Sequence, residues 1–367
     1  MERVLILTSA SGSGHNRVAQ ALRQGLIDEG GETVQVVVAD PFKGTDFPSR
    51  MTRLYGPAIV NASWLWGMLY HLTDNVRWAM ALASPLERAV ALTLEKEKPD
   101  LVVSVHPLCH GAALRALQRM GRAVPVAAMI TDLMDVHVAW QDPGVSLFLA
   151  PTQAVAHQLE ARGVPPLRVH CMGLPVHAGF RDTGVQADCV REQLGLDPER
   201  PTILVTGGGE GAGRLERAAR VAVEALPRAQ VVVACGRNES LRRRLNAADL
   251  PGRILGFVEN MAQWMRACDV VVAKAGALTV TEATASRRPL VVIDALPGQE
   301  RGNLKYILKS GIGVHAPPDR PLARALRALE AQAFRPRAWL DNMERIDQPQ
   351  ASELTARLLL ERVRADD

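Results

Sequence analysis

Short apolar runs rich in β-branched residues alternate, along the whole chain, with longer stretches in which apolar positions recur every three or four residues. Residues 4–7, 34–38, 101–105, 124–130 and 146–150 read as buried strands, with helical patterns between most of them. The series then restarts at 203–205, 230–234, 253–255, 270–273 and 290–293. Near-continuous apolar strands separated by helices are the pattern of βαβ units around a parallel sheet covered on both faces. The expected fold class is α/β, with two doubly wound Rossmann-like domains facing a cleft. Between the halves, Gly173-Leu-Pro-Val-His-Ala-Gly179 is rich in Gly and Pro and reads as a linker. The expected domains are residues 1–172, residues 173–349 and a C-terminal helix in 350–367 that can pack back on the first domain.

Composition narrows the function classes. A chain of 367 residues with 47% hydrophobic and 22% charged positions is long enough for two cores and excludes extensive disorder. The formal net charge is only +4, which is not the footprint of a nucleic-acid partner. Five scattered cysteines without a CxxC pair argue against a disulfide framework or a zinc site, and for a reducing cytoplasm. The first residues read as a buried strand rather than a signal peptide. Residues 54–73 carry no charge but contain Pro57, Asn61, Ser63 and His71, too polar for a membrane span. Trp64, Trp66, Tyr70 and Trp78 fall in or beside that run, flanked by Arg50, Arg53, Arg77 and Arg88. Such a segment suits either a monotopic membrane contact or a pair of core helices with large side chains.

Each half opens with a strand feeding a glycine turn: Ser9-Ala-Ser-Gly12-Ser-Gly14-His15, and Thr206-Gly207-Gly208-Gly209-Glu-Gly-Ala-Gly213. Glycines let a backbone approach a ligand, and a helix N-terminus offers unpaired N–H groups to anions. Neither turn is a P-loop, since no GxxxxGK[ST] occurs. A dinucleotide fingerprint also fits badly. Arg17 stands where the first turn needs a small residue, and the strand after the second turn ends without an acid for a ribose. Asp40, at the end of the second strand, keeps a dehydrogenase reading open.

The densest chemistry lies in the second half. Glu282, one turn into a helix after the Gly276-Ala-Leu278-Thr279 loop, can accept hydrogen bonds from two ribose hydroxyls, or can be an exposed helix acid. Gln299, Glu300 and Asn303 form an amide and carboxylate cluster suited to sugar hydroxyls. Lys274 reads either as a phosphate contact or as a solvated strand-end lysine. His106 and His110 have i, i+4 spacing, but without further ligands a metal site is not expected, and Pro107 reads as a helix start.

Taken together, these residues resemble the GT-B glycosyltransferases, and more narrowly the inverting family that contains MurG, the processive diacylglycerol glucosyltransferases and the plant-type monogalactosyldiacylglycerol synthases. The likeness spans nearly the whole chain. Gly12-Ser-Gly14-His15 resembles the family's N-terminal Gly-x-Gly-His loop. Ser104-Val-His106-Pro-Leu108, Thr131-Asp132-Leu133 with His137 and Trp140, Cys235-Gly-Arg-Asn238, Gly256-Phe257-Val258 and Pro297-Gly-Gln299-Glu300 with Asn303 are similar to the glycolipid branch. That branch usually has Gly-Pro-Gly-Thr in the donor loop; Gly276-Ala-Leu278-Thr279 followed by Val-Thr-Glu282 is more similar to MurG.

The resemblance implies a UDP-sugar donor and no cofactor or metal. Glu282 would hold the ribose, and the backbone at Phe257 and Val258 the uracil. The turn at Gly207, Gly208 and Gly209, with the Gly276, Leu278 and Thr279 loop, would contact the diphosphate. Gln299, Glu300 and Asn303 would face the sugar, while Asn238, His106, Gly12 and Gly14 would belong to the substrate sites. His15 is the candidate base for an in-line displacement and Asp132 the alternative, unless Asp132 is a helix N-cap. The implied function is hexose transfer (glucose or galactose) to diacylglycerol with inversion, by a protein attached peripherally to the cytoplasmic face of the cell membrane. The alternatives are a MurG-like UDP-N-acetylglucosamine transferase acting on an undecaprenyl-linked acceptor, a UDP-sugar epimerase, and a non-catalytic nucleotide-sugar-binding protein.

Overall fold

A computed structural model describes residues 1–9, 13–43, 84–181, 186–298 and 300–365. Gly12, Trp64, Trp66, Tyr70, Trp78 and Gln299 lie outside the described residues. By contact density the described chain falls into two units. The first runs up to His177 and takes in Gln348 onward; the second is Ala178–Asp347.

The first unit holds a parallel sheet of β1 (Glu2–Leu7), β2 (Val34–Ala39), β3 (Leu101–Ser104), β4 (Val126–Met129), β5 (Leu147–Ala150) and β6 (Val169–Cys171). Their order is β2-β1-β3-β4-β5-β6. The second unit holds a parallel sheet of β7 (Thr202–Thr206), β8 (Gln230–Ala234), β9 (Arg253–Leu255), β10 (Val270–Lys274), β11 (Leu290–Asp294) and β12 (Gly313–His315), in the order β12-β11-β10-β7-β8-β9. Counted from β7, the second order is the 3-2-1-4-5-6 arrangement of dinucleotide-type folds. The central strands are apolar end to end because helices cover both faces: Val4–Leu7 pair with Val36–Ala39 and with Leu101–Ser104. In the second unit, Leu215, Ala218, Ala219 and Ala222 of helix Leu215–Ala225, and Leu322, Leu326 and Leu329 of helix Arg320–Glu330, turn their apolar stripes onto Ile203, Val205, Val231 and Val272.

Two expectations need correction. The edge strands β6 and β12 were not anticipated, because three residues with a histidine among them make no apolar run. The helix expected at Pro107 begins at Cys109, with Pro107 and Leu108 in the turn before it. In the segment read as a linker, where one unit gives way to the other, Leu174 and Val176 are buried.

The C-terminal helix Ala351–Ala365 lies along helix Ser13–Gly30. Ala356, Leu359, Leu360 and Val363 are buried, and Arg357–Glu29 and Arg364–Glu2 ion pairs flank the contact. Close approach depends on Gly25, where an added Cβ would stand 2.8 Å from the Ser352 carbonyl oxygen. Gly25→Val should therefore destabilise the first unit by about 1–3 kcal/mol in urea melts and release the C-terminal helix to limited proteolysis. Unchanged stability and protection would show that this helix pair does not need the glycine.

Candidate functional site

In the first sheet the strand order reverses at β1, between β2 and β3, and the loops leaving β1 and β3 bracket the reversal. Ligands in open α/β sheets bind outside the carboxyl ends of strands at such a point. A polar cluster occupies this end. His15, in the first turn of helix Ser13–Gly30, donates from Nδ1 to the Val105 carbonyl just beyond β3 at 2.7 Å, and Thr131 Oγ1, beyond β4, lies 3.4 Å from the same nitrogen. A carbonyl can only accept, so the proton sits on Nδ1 and the Nε2 lone pair is left for other work. Packing around the half-buried ring pulls its pKa down to about 4, against the Val105 carbonyl, which favours the charged form.

His106 stands edge-on to both His15 (centroids 4.9 Å apart) and Phe42 (5.1 Å), and its Nδ1 accepts the Leu108 N–H. Burial holds its pKa well below the ordinary imidazole range, with the charges of His15 and His110 acting in the same direction. His110 is buried and stacks on Trp140 at 5.8 Å; burial lowers it to about 4, against the Ala139 backbone, whose hydrogen bond favours the charged form. Trp140 in turn donates from Nε1 to Asp132 Oδ2 at 3.0 Å. Burial raises Asp132 to about 6, with that N–H opposing the shift. The helical turn that follows, Val138–Trp140, is capped by His137, so Asp132 is not a helix cap. His106 precedes the helix that carries His110, and among the described residues no three His, Cys, Asp or Glu side chains gather as a metal site. Gly14 opens the helix onto space: an added Cβ would meet no atom within 4 Å.

The second unit presents different chemistry at the equivalent reversal, between β7 and β10. The glycine turn after β7 is zipped to the loop after β8: Arg237 N–H donates to the Gly209 carbonyl (2.8 Å) and Asn238 Nδ2 to the Gly211 carbonyl (3.1 Å). Two glycines are needed for that contact. Gly211 (φ +59°) and Gly236 (φ +57°) each face a carbonyl of the opposite loop, Cys235 and Gly209 respectively, where a Cβ would collide. Asn238, expected at the substrate, donates from Nδ2 to this joint, and its Oδ1 caps helix Glu239–Ala247 through Leu241 N–H. Beside the joint, Arg237 pairs with Glu210 at 2.8 Å and lies over the Phe257 ring at 4.7 Å; that ring is 44% exposed, and Val258 is half-buried.

After β10, Gly276 opens helix Ala277–Ala285 without a side-chain cap, leaving Leu278 and Thr279 half-buried in its first turn. Glu282 is 2% exposed and has interaction partners, so it is not an exposed helix acid. Asn303 Nδ2 donates to the Ala275 carbonyl at 3.0 Å and holds the loop in place. Glu300, expected at the sugar, has a protein partner on each oxygen: Oε1 receives the Lys274 ammonium, and Oε2 accepts the Leu296 N–H at 3.0 Å. This pair escaped the sequence reading, because nothing in the spacing of Lys274 and Glu300, 26 residues apart, announces that they meet.

Two family models match consecutive halves of the chain: monogalactosyldiacylglycerol synthase over residues 15–176 and the glycosyltransferase family 28 C-terminal domain over residues 202–309. Monogalactosyldiacylglycerol synthase 2 of Arabidopsis thaliana, named as chloroplastic, is 33% identical over 369 residues, and a rice protein named as a probable monogalactosyldiacylglycerol synthase 2 is 35% identical. Each match covers 95% of this chain and 78% of the relative. The chain belongs to the monogalactosyldiacylglycerol synthase family. It is thus a glycosyltransferase. Its fold is GT-B, as in MurG of Acinetobacter baumannii (TM-score 0.59, 15% identity, 98% and 100% of the two chains) and UDP-GlcNAc 2-epimerase of Neisseria meningitidis (0.64, 14%, 98% and 100%).

The buried imidazoles set a pH dependence. In the unfolded chain His15, His106 and His110 take a proton near 6.5, whereas in the folded protein His15 and His110 resist until about 4 and His106 is held well below its ordinary value. Unfolding therefore takes up protons as pH falls below about 6.5, and stability is lost in that window. Asp132 works the other way, because the folded state already holds its proton at about 6 while the unfolded carboxyl waits until 3.8. The histidines outnumber it, so urea midpoints should fall from pH 7 to pH 5, and less steeply in His110→Phe. A flat profile would contradict the burial of neutral rings.

Proposed function

We propose that this protein transfers galactose from UDP-galactose to diacylglycerol, with inversion at the anomeric carbon, at a membrane surface. One observation carries the reading above the others: relatives named as monogalactosyldiacylglycerol synthases align with 95% of the chain, through both units. In this reading the first unit holds the acceptor and the second the donor. The acceptor hydroxyl oxygen attacks the anomeric carbon as the bond to UDP breaks, the diphosphate keeps the electron pair, and the hydroxyl proton passes to His15 Nε2. The Val105 carbonyl supports this role by fixing the tautomer that leaves Nε2 unprotonated. For the leaving group, the glycine turn and the uncapped helix start at Gly276 offer backbone N–H dipoles, and Glu282 is the ribose ligand. Membrane attachment rests on the aromatic residues Trp64, Trp66, Tyr70 and Trp78. Among the described residues no helix is long and apolar enough to cross a membrane.

The MurG-like donor loop Gly276-Ala-Leu278-Thr279 supports a second acceptor, an undecaprenyl-linked one served by UDP-N-acetylglucosamine. Both are tested by incubating the protein with labelled UDP-galactose, UDP-glucose or UDP-N-acetylglucosamine and either lipid, extracting the lipid phase and reading the anomeric coupling by NMR. A β-galactosyl diacylglycerol is expected; label only in the polyprenyl lipid, or none in either, would refute the reading. In the same assay His15→Ala should lower turnover by roughly 10²–10⁴ while UDP binding persists. The acid limb of kcat separates the two candidate bases. With His15 as base, activity is lost only well below pH 6, whereas a midpoint at about 6 assigns the role to Asp132.

A further inference from the structure

Lys274 is the last residue of β10, and the strand's register against β11 shifts between Ala273 and Lys274. Its side chain is neither solvated nor idle: it is 16% exposed and ion-paired to Glu300, whose own side chain is 6% exposed. Both glycine turns come close to the Lys274 side chain. An added Cβ at Gly276 would stand 3.2 Å from Nζ and 3.6 Å from Glu300 Oε1, and one at Gly208 would stand 3.9 Å from Lys274 Cε. The ammonium therefore lies between the two glycine turns that flank the β7/β10 reversal, at positions where neither turn has a side chain.

Two features make this placement costly for stability alone. A cation beside the start of helix Ala277–Ala285 faces the positive end of the helix dipole, whose first amides no side chain caps. An ammonium has three N–H donors, and Glu300 is the partner that it meets. Both features become favourable when an anion occupies the space bounded by Nζ, the Gly276 helix start and the Gly208 turn.

We propose that Lys274 is a ligand of the donor diphosphate, and that Glu300 is the positioning residue that holds and neutralises its ammonium when the donor is away. This rests on the proposed UDP-sugar reading and adds the group that recognises its charge. It also replaces the expected contact of Glu300 with the sugar by a contact with Lys274.

The test is calorimetric titration of the full chain with UDP, UMP and uridine. Lys274→Met leaves Glu300 buried without its partner, so the informative protein is the double variant Lys274→Met/Glu300→Gln, which removes both charges together. Relative to wild type, it should keep its melting temperature, bind UDP about 10–100-fold more weakly, lose less for UMP, and bind uridine unchanged. Glu300→Gln alone, which keeps an oxygen for the Leu296 N–H, should bind UDP at least as tightly as wild type, and UDP-galactose with the same relative affinity. Equal weakening for UDP and uridine would reduce Lys274 to a structural role and overturn the proposal. So would unchanged UDP affinity in the double variant. Loss of UDP-galactose but not UDP binding in Glu300→Gln would return Glu300 to the sugar. Wild-type protein that binds none of the three ligands would refute the donor reading itself, and this inference with it.

Discussion

In a parallel sheet every strand ends on the same side, so each strand's last residues and the first turn of the following helix meet at one edge. Where the strand order reverses, the two loops leave in opposite directions and the edge opens. This happens at β1 in the first sheet and at β7 in the second. The candidate groups follow from that constraint. His15 reaches the carbonyl beyond β3 because helix Ser13–Gly30 starts beside it, and Lys274 reaches the Gly208 turn because β10 lies next to β7.

The two openings are furnished differently. The first is lined by His15 and His110, which burial keeps neutral with pKa values near 4, and by Asp132, which burial raises to about 6. Rings that resist protonation can accept a proton from a hydroxyl, and the Val105 and Trp140 hydrogen bonds fix which atoms are free to do so. The second is built of backbone. Gly211 and Gly236 allow two loops to hydrogen-bond back to back, and the helix start at Gly276 is uncapped. Backbone N–H groups and one ammonium suit an anion, whereas neutral imidazoles suit an alcohol. This difference is the physical basis for assigning donor and acceptor to different units.

Most of the sheet framework was legible because doubly covered parallel strands must be apolar throughout; residues 230–234 and 253–255 match β8 and β9 residue for residue. Edge strands escaped for the converse reason: β6 and β12 are short and need no apolar run. In the candidate site, residue types were easier to read than their uses. Asn238 and Glu300 are polar, near glycine turns and suited to a sugar, and both also have partners within the protein: a loop carbonyl and a helix cap for Asn238, an ion pair and a backbone N–H for Glu300. Only three-dimensional accounting separates a polar group that faces a ligand from one that builds the loop around it. His15 was identified from its place after a glycine turn, but the carbonyl that sets its tautomer is 90 residues away in sequence.

The central claim is that the reversal in the second sheet holds a nucleotide diphosphate on backbone and ammonium groups. Hydrogen–deuterium exchange with and without UDP tests it most directly, because the claim concerns amides. Added UDP should slow exchange in peptides covering residues 206–213 and 274–282 and leave the β1–β3 end of the first unit unchanged. Protection confined to the first unit, or absent from both glycine turns under saturating UDP, would contradict the account.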